Sequence, residues 1–198
     1  MISLEKEFLF LHYPKTGGNS LQGVLRDYSE DKIVCLNPMQ DGYERFEVRG
    51  YKEIHKHSTL LQYKAVIPAP IFDSLFKFTC IRNPWERMIS FYFSPHRKKS
   101  NWDRGEFIAL LQSVSPLRDF VTLNESDDLA AHIDSIVRFE CIADDFRMIC
   151  DRLEIPSVPL IKRNMSVRKH YRSYYDNDLR CMVESKFKEE IDYGQYEF

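Results

Sequence analysis

A short apolar segment that runs directly into a glycine-containing loop is the feature that most constrains this chain. The apolar segment covers residues 8–12, and residues 13–19 contain one proline and two glycines. An apolar run bounded by turn residues predicts a buried strand. From residue 20 to residue 28 apolar side chains recur at helical spacing, so a helix should begin at the glycines with Asn19 or Ser20 as its cap. A strand, a tight loop and a helix in this order are typical of an α/β sheet.

A second segment repeats this order. Residues 76–81 alternate in polarity and predict a strand, and Arg82 follows at once. Pro84 stands where a helix tolerates proline best, at its first turn. An apolar helical stripe comes after it, made of Trp85, Met88, Ile89, Tyr92 and Phe93.

The remaining elements fit the same architecture. We expect further strands at 33–36, 46–54 and 136–139, and helices at 60–75 in two pieces, 103–114, 144–153 and 176–190. Strands that alternate with helices favour an α/β three-layer fold with a mainly parallel central sheet flanked by helices. No linker separates two units, so residues 1–198 are expected to form one domain.

Charge and composition limit the partners. The 198 residues include 28 Lys and Arg against 30 Asp and Glu, a formal charge of -2, so no global positive field attracts nucleic acid or a membrane. The longest apolar runs are too short to span a bilayer, and the N-terminus lacks a basic segment before its apolar run. Five cysteines without a C-x-x-C pair predict reduced thiols. We therefore expect a cytoplasmic protein.

The first loop has the composition of an anion-binding turn. Gly17 and Gly18 let the backbone turn tightly, the helix start adds partial positive charge, and Lys15 adds a full charge. The lysine precedes both glycines, which departs from the G-x-x-x-x-G-K-[ST] spacing of nucleoside triphosphatases. At this stage a turn in which the glycines only satisfy backbone geometry remains an alternative.

The second loop offers a guanidinium and a hydroxyl. Arg82 follows a strand at the edge where open α/β sheets bind ligands, and Ser90 lies two turns into the next helix. Together they can hold one phosphate group. Taken singly, Arg82 can equally be a surface charge and Ser90 a small packing residue.

The sequences FLHYPKTGGNS and FTCIRNPWERMISFYF together resemble the sulfotransferase superfamily, most closely the carbohydrate-type enzymes grouped with heparan sulfate 2-O-sulfotransferase and their bacterial relatives. The resemblance implies a P-loop-like fold and a donor, 3′-phosphoadenosine 5′-phosphosulfate (PAPS), whose product is 3′-phosphoadenosine 5′-phosphate (PAP). It also implies that the first motif holds the 5′-phosphosulfate, through Lys15, Thr16, Gly17, Gly18, Asn19 and Ser20, and that Arg82 and Ser90 hold the 3′-phosphate. In the basic segment 162–172, Arg168 and Lys169 are further candidates for the 3′-phosphate.

The resemblance also implies a base that removes a proton from an acceptor hydroxyl. His57 is the first candidate, because imidazole titrates near neutral pH and because its surroundings resemble the KHxT-type stretch of the bacterial relatives. His55 and Glu53 are the alternatives. No third ligand stands at a recognisable spacing from the two histidines, so no metal is expected.

The resemblance therefore implies a PAPS-dependent enzyme that moves a sulfuryl group by in-line displacement, with Lys15 and His57 as catalytic residues. The expected acceptor is a hydroxyl of a carbohydrate or a small metabolite. Two alternatives stay open: a nucleotide-binding module that transfers nothing, and a small-molecule kinase that requires magnesium. The oligomeric state is not predicted.

Overall fold

The computed structural model describes residues 1–36, 45–49, 54–162 and 168–198, with residues 32–36, 45–49 and 96 described by their backbone alone. The described strands are β1 (Ile2–Ser3), β2 (Phe8–Leu11), β3 (Lys32–Leu36), β4 (Arg45–Arg49), β5 (Phe76–Ile81) and β6 (Ser135–Arg138). The described α-helices are α1 (Gly18–Leu25), α2 (Leu60–Val66), α3 (Ala69–Ser74), α4 (Pro84–Tyr92), α5 (Arg104–Ser113), α6 (Arg118–Val121), α7 (Ile142–Leu153), α8 (Asn177–Lys186) and α9 (Lys188–Gly194).

A four-stranded sheet organises the chain in the order β1-β2-β5-β6. Strands β2, β5 and β6 are parallel, with Leu11 opposite Thr79 and Ile81 opposite Arg138, and β1 pairs with β2 in the antiparallel sense. Strands β3 and β4 form a separate antiparallel pair. The parallel strands end at one edge of the sheet, and the segments that follow them meet there.

Alternation along β2 separates two apolar layers. Phe8 and Phe10 pack on one face with residues of α1 and α7, whereas Leu9 and Leu11 pack on the other face with residues of α2, α3 and α6. This is the expected result of a two-residue side-chain period in a sheet that is covered on both sides. The predicted α/β three-layer arrangement with a mainly parallel sheet is confirmed.

A third apolar cluster joins α4, α5 and α8 beside the sheet. Trp85 and Met88 of α4 pack there with Phe107 of α5 and Val183 of α8. The cluster includes the apolar stripe predicted for the second unit. It fixes α4, and therefore the loop before α4, against the C-terminal helices.

A buried charged group ties α9 to the first loop. Glu190 Oε1 lies 2.9 Å from the Tyr13 hydroxyl and accepts the Leu117 N–H at 2.8 Å. Glu190 Oε2 lies 3.8 Å from Arg87, whose guanidinium lies between the rings of Tyr13 and Phe187 at 4.2 and 4.7 Å. Burial raises the pKa of Glu190, and Arg87 opposes that effect.

Candidate functional site

The loop between β2 and α1 adopts a strained backbone. Lys15 and Gly17 have φ angles of 71° and 86°, in the left-handed region that a lysine rarely adopts. Gly17 is the N-cap of α1 and offers no side chain to its first turn. The prediction that Asn19 or Ser20 caps the helix was therefore wrong, because both lie inside that turn. The Ser20 N–H donates to the Gly17 carbonyl at 2.9 Å. The N–H groups at the start of a helix lack intrahelical partners and are suited to an anion.

The two glycines are required by close packing. A Cβ on Gly18 would lie 2.3 Å from Cδ2 of His12, and one on Gly17 would lie 2.7 Å from Ile142 and 2.9 Å from Phe139. The loop is therefore pressed between the end of β2 and the segment after β6. A larger residue at either position would displace the N-terminus of α1.

The other side chains of the first motif have different surroundings. The Thr16 hydroxyl is buried and donates to the Tyr13 carbonyl at 2.7 Å, so it secures the turn. Asn19 Oδ1 is buried and has no hydrogen-bond partner among the described residues. Ser20 is half-buried and lines a cavity of about 200 Å³ beside α1.

Arg82 is fixed at the end of β5. Its guanidinium stacks on Phe139 at 3.8 Å, donates to the Lys15 carbonyl at 3.3 Å, and pairs with Glu86 at 2.9 Å. Arg82 is 7% exposed, and its Nε is buried without a hydrogen-bond partner in the described part of the chain. The predicted phosphate ligand is therefore a buried, oriented cation with an unsatisfied donor.

Three cations meet around this point. Arg168 pairs with Glu86 at 3.5 Å, and Lys15 Nζ donates to the Ser94 hydroxyl at 3.4 Å. Burial, together with Arg82 and Arg168, lowers the pKa of Lys15 from 10.5 to about 8. Burial and Arg82 also lower the pKa of Arg168. A cluster in which burial and mutual repulsion disfavour the positive charges attracts an anion.

Two predicted phosphate ligands lie apart from these contacts. Ser90 is buried on α4, and its hydroxyl forms no hydrogen bond within the residues that the structure covers. Lys169 is exposed, and its backbone N–H donates to the Tyr174 hydroxyl at 3.0 Å. The structure therefore brings Arg168 to the cation cluster and leaves the side chain of Lys169 at the surface.

The candidate bases follow the β3–β4 pair. His57 Nδ1 lies 2.9 Å from the carbonyl oxygen of His12 at the end of β2, and its ring centroid lies 4.7 Å from that of His12. Because a carbonyl only accepts, Nδ1 carries the proton and the neutral ring has its basic lone pair on Nε2. His55 is exposed, and its backbone N–H donates to Ser58. Glu53 lies outside the described residues.

His12 is a residue that the sequence analysis missed. It is 4% exposed, its Nδ1 has no partner among the described residues, and its ring lies between the Gly18 backbone and His57. Burial, and then the charge of His57, hold the pKa of His12 well below its usual range. The sequence pattern could not predict this position of His12, because its neighbours Gly18 and His57 belong to separate segments of the chain.

Ser94 and Glu86 were missed as well. The hydrogen bond from Lys15 to Ser94 joins residues 79 positions apart, which no local pattern reveals. Glu86 stands four residues after Arg82, and opposite charges at this spacing are a recognised helical signal. Glu86 was therefore open to prediction, and Ser94 was not.

Neither a metal centre nor a membrane segment is found in the part of the chain that the structure describes. No three His, Cys, Asp or Glu side chains within it are grouped as metal ligands. None of the helices described is long and apolar enough to cross a bilayer.

The fold and the cation cluster define an α/β protein with three cations grouped at one edge of its parallel sheet. The sequence pattern described as "Sulfotransferase family" matches residues 1–192, and the chain belongs to that family. The family predicted from the two motifs is thereby confirmed, and with it a transferase that acts on a hydroxyl-bearing acceptor.

A solved structure has the same fold. It is described as the crystal structure of mouse sulfotransferase SULT7A1 complexed with PAP, and it matches at 14% identity with a TM-score of 0.50. The alignment covers 98% of this chain and 88% of the mouse chain. No match was found among curated protein sequences.

Proposed function

We propose that this sulfotransferase takes its sulfuryl group from PAPS and transfers it to a hydroxyl of a carbohydrate or a small metabolite. The observation that carries the proposal is the convergence of Lys15, Arg82 and Arg168 on one edge of the sheet, with Glu86 as the carboxylate between the two arginines. The family match and the mouse relative, described as complexed with PAP, support this donor. The carbohydrate acceptor rests on the resemblance to carbohydrate-type enzymes.

The described residues fit such a donor. The loop N–H groups and Lys15 would hold the 5′-phosphosulfate, and Arg82 would hold the 3′-phosphate with Arg168 and Ser90. The Arg82 Nε has no partner among the described residues and can donate to a phosphate, and a bound anion would relieve the repulsion that lowers the pKa of Lys15. When bound, PAPS supplies an activated sulfuryl group.

The cavity beside α1 can receive the base of the nucleotide. Its volume is about 200 Å³, and it begins at Ser20 of the first motif. Apolar walls come from both sides of the cavity, namely Val24 and Tyr28 on one side and Pro156, Pro159 and Ile161 on the other. A flat aromatic base suits such a slot, since its faces gain from apolar contact.

The chain's own groups also suit proton removal. The Nδ1–H group of His57 donates to the His12 carbonyl. Nε2 is therefore the nitrogen that would accept the proton of an acceptor hydroxyl. His57 is exposed, and its ring lies beside His12, which contacts the first loop. Lys15 holds its proton at neutral pH and provides a fixed positive charge at that loop.

Calorimetric titration with PAP in the absence of magnesium tests the donor. We expect PAP to bind at least tenfold more tightly than 5′-AMP, because only PAP presents a phosphate to Arg82 and Arg168. ATP serves as a second control. Equal affinities for PAP and 5′-AMP would contradict the proposal, and tight magnesium-dependent binding of ATP would favour a kinase.

Turnover of His57→Ala tests the base. We expect its kcat to fall by about 100-fold or more with the Kd for PAP unchanged, since general-base removal affects the chemical step. His55→Ala and Glu53→Gln are the matched controls. Near-normal turnover of His57→Ala combined with loss in Glu53→Gln would assign the base to the carboxylate.

A further inference from the structure

Glu86 occupies a special place in the cation cluster. It lies in the first turn of α4, where its N–H donates to the Asn83 side chain that caps the helix. A single oxygen, Oε1, lies 2.9 Å from Arg82 and 3.5 Å from Arg168. The two arginines belong to distant parts of the chain and meet at this one atom.

Positive charge is concentrated around Glu86. Lys15, Arg82 and Arg168 contribute three positive charges, and Glu86 is a carboxylate that lies between the two arginines. The Glu86 side chain is 31% exposed, so it can turn toward solvent at a modest cost.

We propose that Glu86 is the resident counter-ion of the donor site and that it limits the affinity for the donor nucleotide. The inference rests on the proposed function. In the empty site Glu86 relieves the repulsion between Arg82 and Arg168. An incoming phosphate is repelled by the Glu86 carboxylate and competes with it for Arg82 and Arg168. Phosphate binding therefore replaces one anion at the arginines by another. Glu86 therefore makes the site stable when empty and its ligand easier to release.

Glu86→Gln removes the charge and keeps the shape, because the amide oxygen can still accept from both arginines. The substitution makes the net charge of the cluster more positive by one unit. We expect the calorimetric Kd for PAP to fall by about tenfold, with a steeper salt dependence and a slower dissociation rate. We also expect a lower Tm of the empty protein and a larger rise in Tm when PAP is added.

Glu189→Gln is the matched control. Glu189 also forms an ion pair with an arginine, Arg118, but the pair is exposed and makes no contact with the cluster. Its Kd for PAP should equal that of the wild type. Loss of a merely structural contact would weaken binding, so tighter binding separates a counter-ion from a scaffold residue.

Unchanged or weaker PAP binding in a folded Glu86→Gln variant would overturn the inference. If that variant does not fold, Glu86→Asp decides the question. The aspartate keeps the charge and should bind PAP within about threefold of the wild type, whereas a Kd tenfold lower would show that charge is not the cause. The wild type's preference for PAP over 5′-AMP tests the proposed function separately, so either idea can fail alone.

Discussion

Among single residues, Lys15 links the stability of the protein to the proposed donor site. Its pKa falls from 10.5 to about 8 because the ammonium is buried near Arg82 and Arg168. Below pH 8 the lysine is charged in both the folded and the unfolded chain. Burial of this charge beside two arginines then destabilises the folded chain. Between pH 8 and 10.5 the unfolded chain binds more protons, so this contribution makes stability rise with pH.

Lys15→Met should therefore stabilise the empty protein and weaken PAP binding. We expect the free energy of unfolding at pH 7 to rise by about 3 kcal/mol, because a pKa lowered from 10.5 to about 8 corresponds to a cost of that order. Urea unfolding at pH 7 and pH 10.5 measures this, and the gain should shrink at the higher pH. A variant less stable than the wild type at pH 7 would contradict the argument.

The pH dependence of binding follows from the same residue. Above pH 8 Lys15 loses its proton, so the affinity of the wild type for PAP should decline as pH rises from 8 to 9.5. Calorimetry at several pH values measures the decline. In Lys15→Met it should be absent, and a decline that persists there would assign the titration to another group.

Gly18 is a second residue whose role can be measured. In Gly18→Ala the new Cβ meets the buried His12 ring at 2.3 Å, so the Tm should fall and PAP binding should weaken together. Gly105→Ala is the control. Gly105 is exposed in α5 and a Cβ there meets only Asp103 at 3.3 Å, so that variant should be neutral or stabilised by up to about 1 kcal/mol.

Among the helices and strands, the sequence predicted those whose boundaries are marked by residues such as proline. Helix α4 begins at Pro84, where the sequence analysis placed its first turn, and Pro68 separates α2 from α3. The two-residue strand β1 and the four-residue helix α6 were missed, because elements this short contain only about one period and no repeat. The predicted cap of α1 was wrong, because the N-cap is Gly17, whose backbone adopts the left-handed conformation and which has no side chain to cap the helix.

Helix α9 is held by a buried ion pair that tests how the elements are joined. Glu190→Ala leaves the buried Arg87 without its carboxylate and Tyr13 without its partner. Removal of one member of a buried pair costs about 3–5 kcal/mol. In urea unfolding, the double variant with Arg87→Met should lose less than the sum of the two single variants. An additive result would mean that Arg87 and Glu190 do not interact.

For the whole molecule, the sequence predicted the sheet and the two loops but not how they meet. Lys15, Arg82 and Gly17 were foreseen because each follows a strand with a clear apolar pattern. Ser94 and His12 were not foreseen, since their partners lie far away along the chain and only packing brings them together. Contacts between distant segments depend on the complete fold and produce no repeating pattern in the sequence.

Acid unfolding of the whole molecule should reflect its paired carboxylates. The backbone N–H groups of Asn124 and Leu123, with His132, lower the pKa of Asp127 to about 2. The unfolded chain thus takes up protons first, and this contribution is complete above pH 4 and is lost as the pH falls toward 2. Circular dichroism should show Asp127→Asn less stable at pH 6 and closer to the wild type at pH 2.5. A constant difference would exclude this carboxylate as a cause.

The three cations of the proposed donor site also determine when that site can form during synthesis. Lys15, Arg82 and Arg168 enter the chain at widely separated times during synthesis, and Arg168 comes last. A nascent chain that has formed only β2, α1 and β5 therefore lacks one wall of the site. Domains fold as their residues emerge from the ribosome, so the nucleotide cannot guide the early steps and can only stabilise a chain that is almost finished. A product of interrupted synthesis that ends before Arg168 would lack one cation of the proposed donor site.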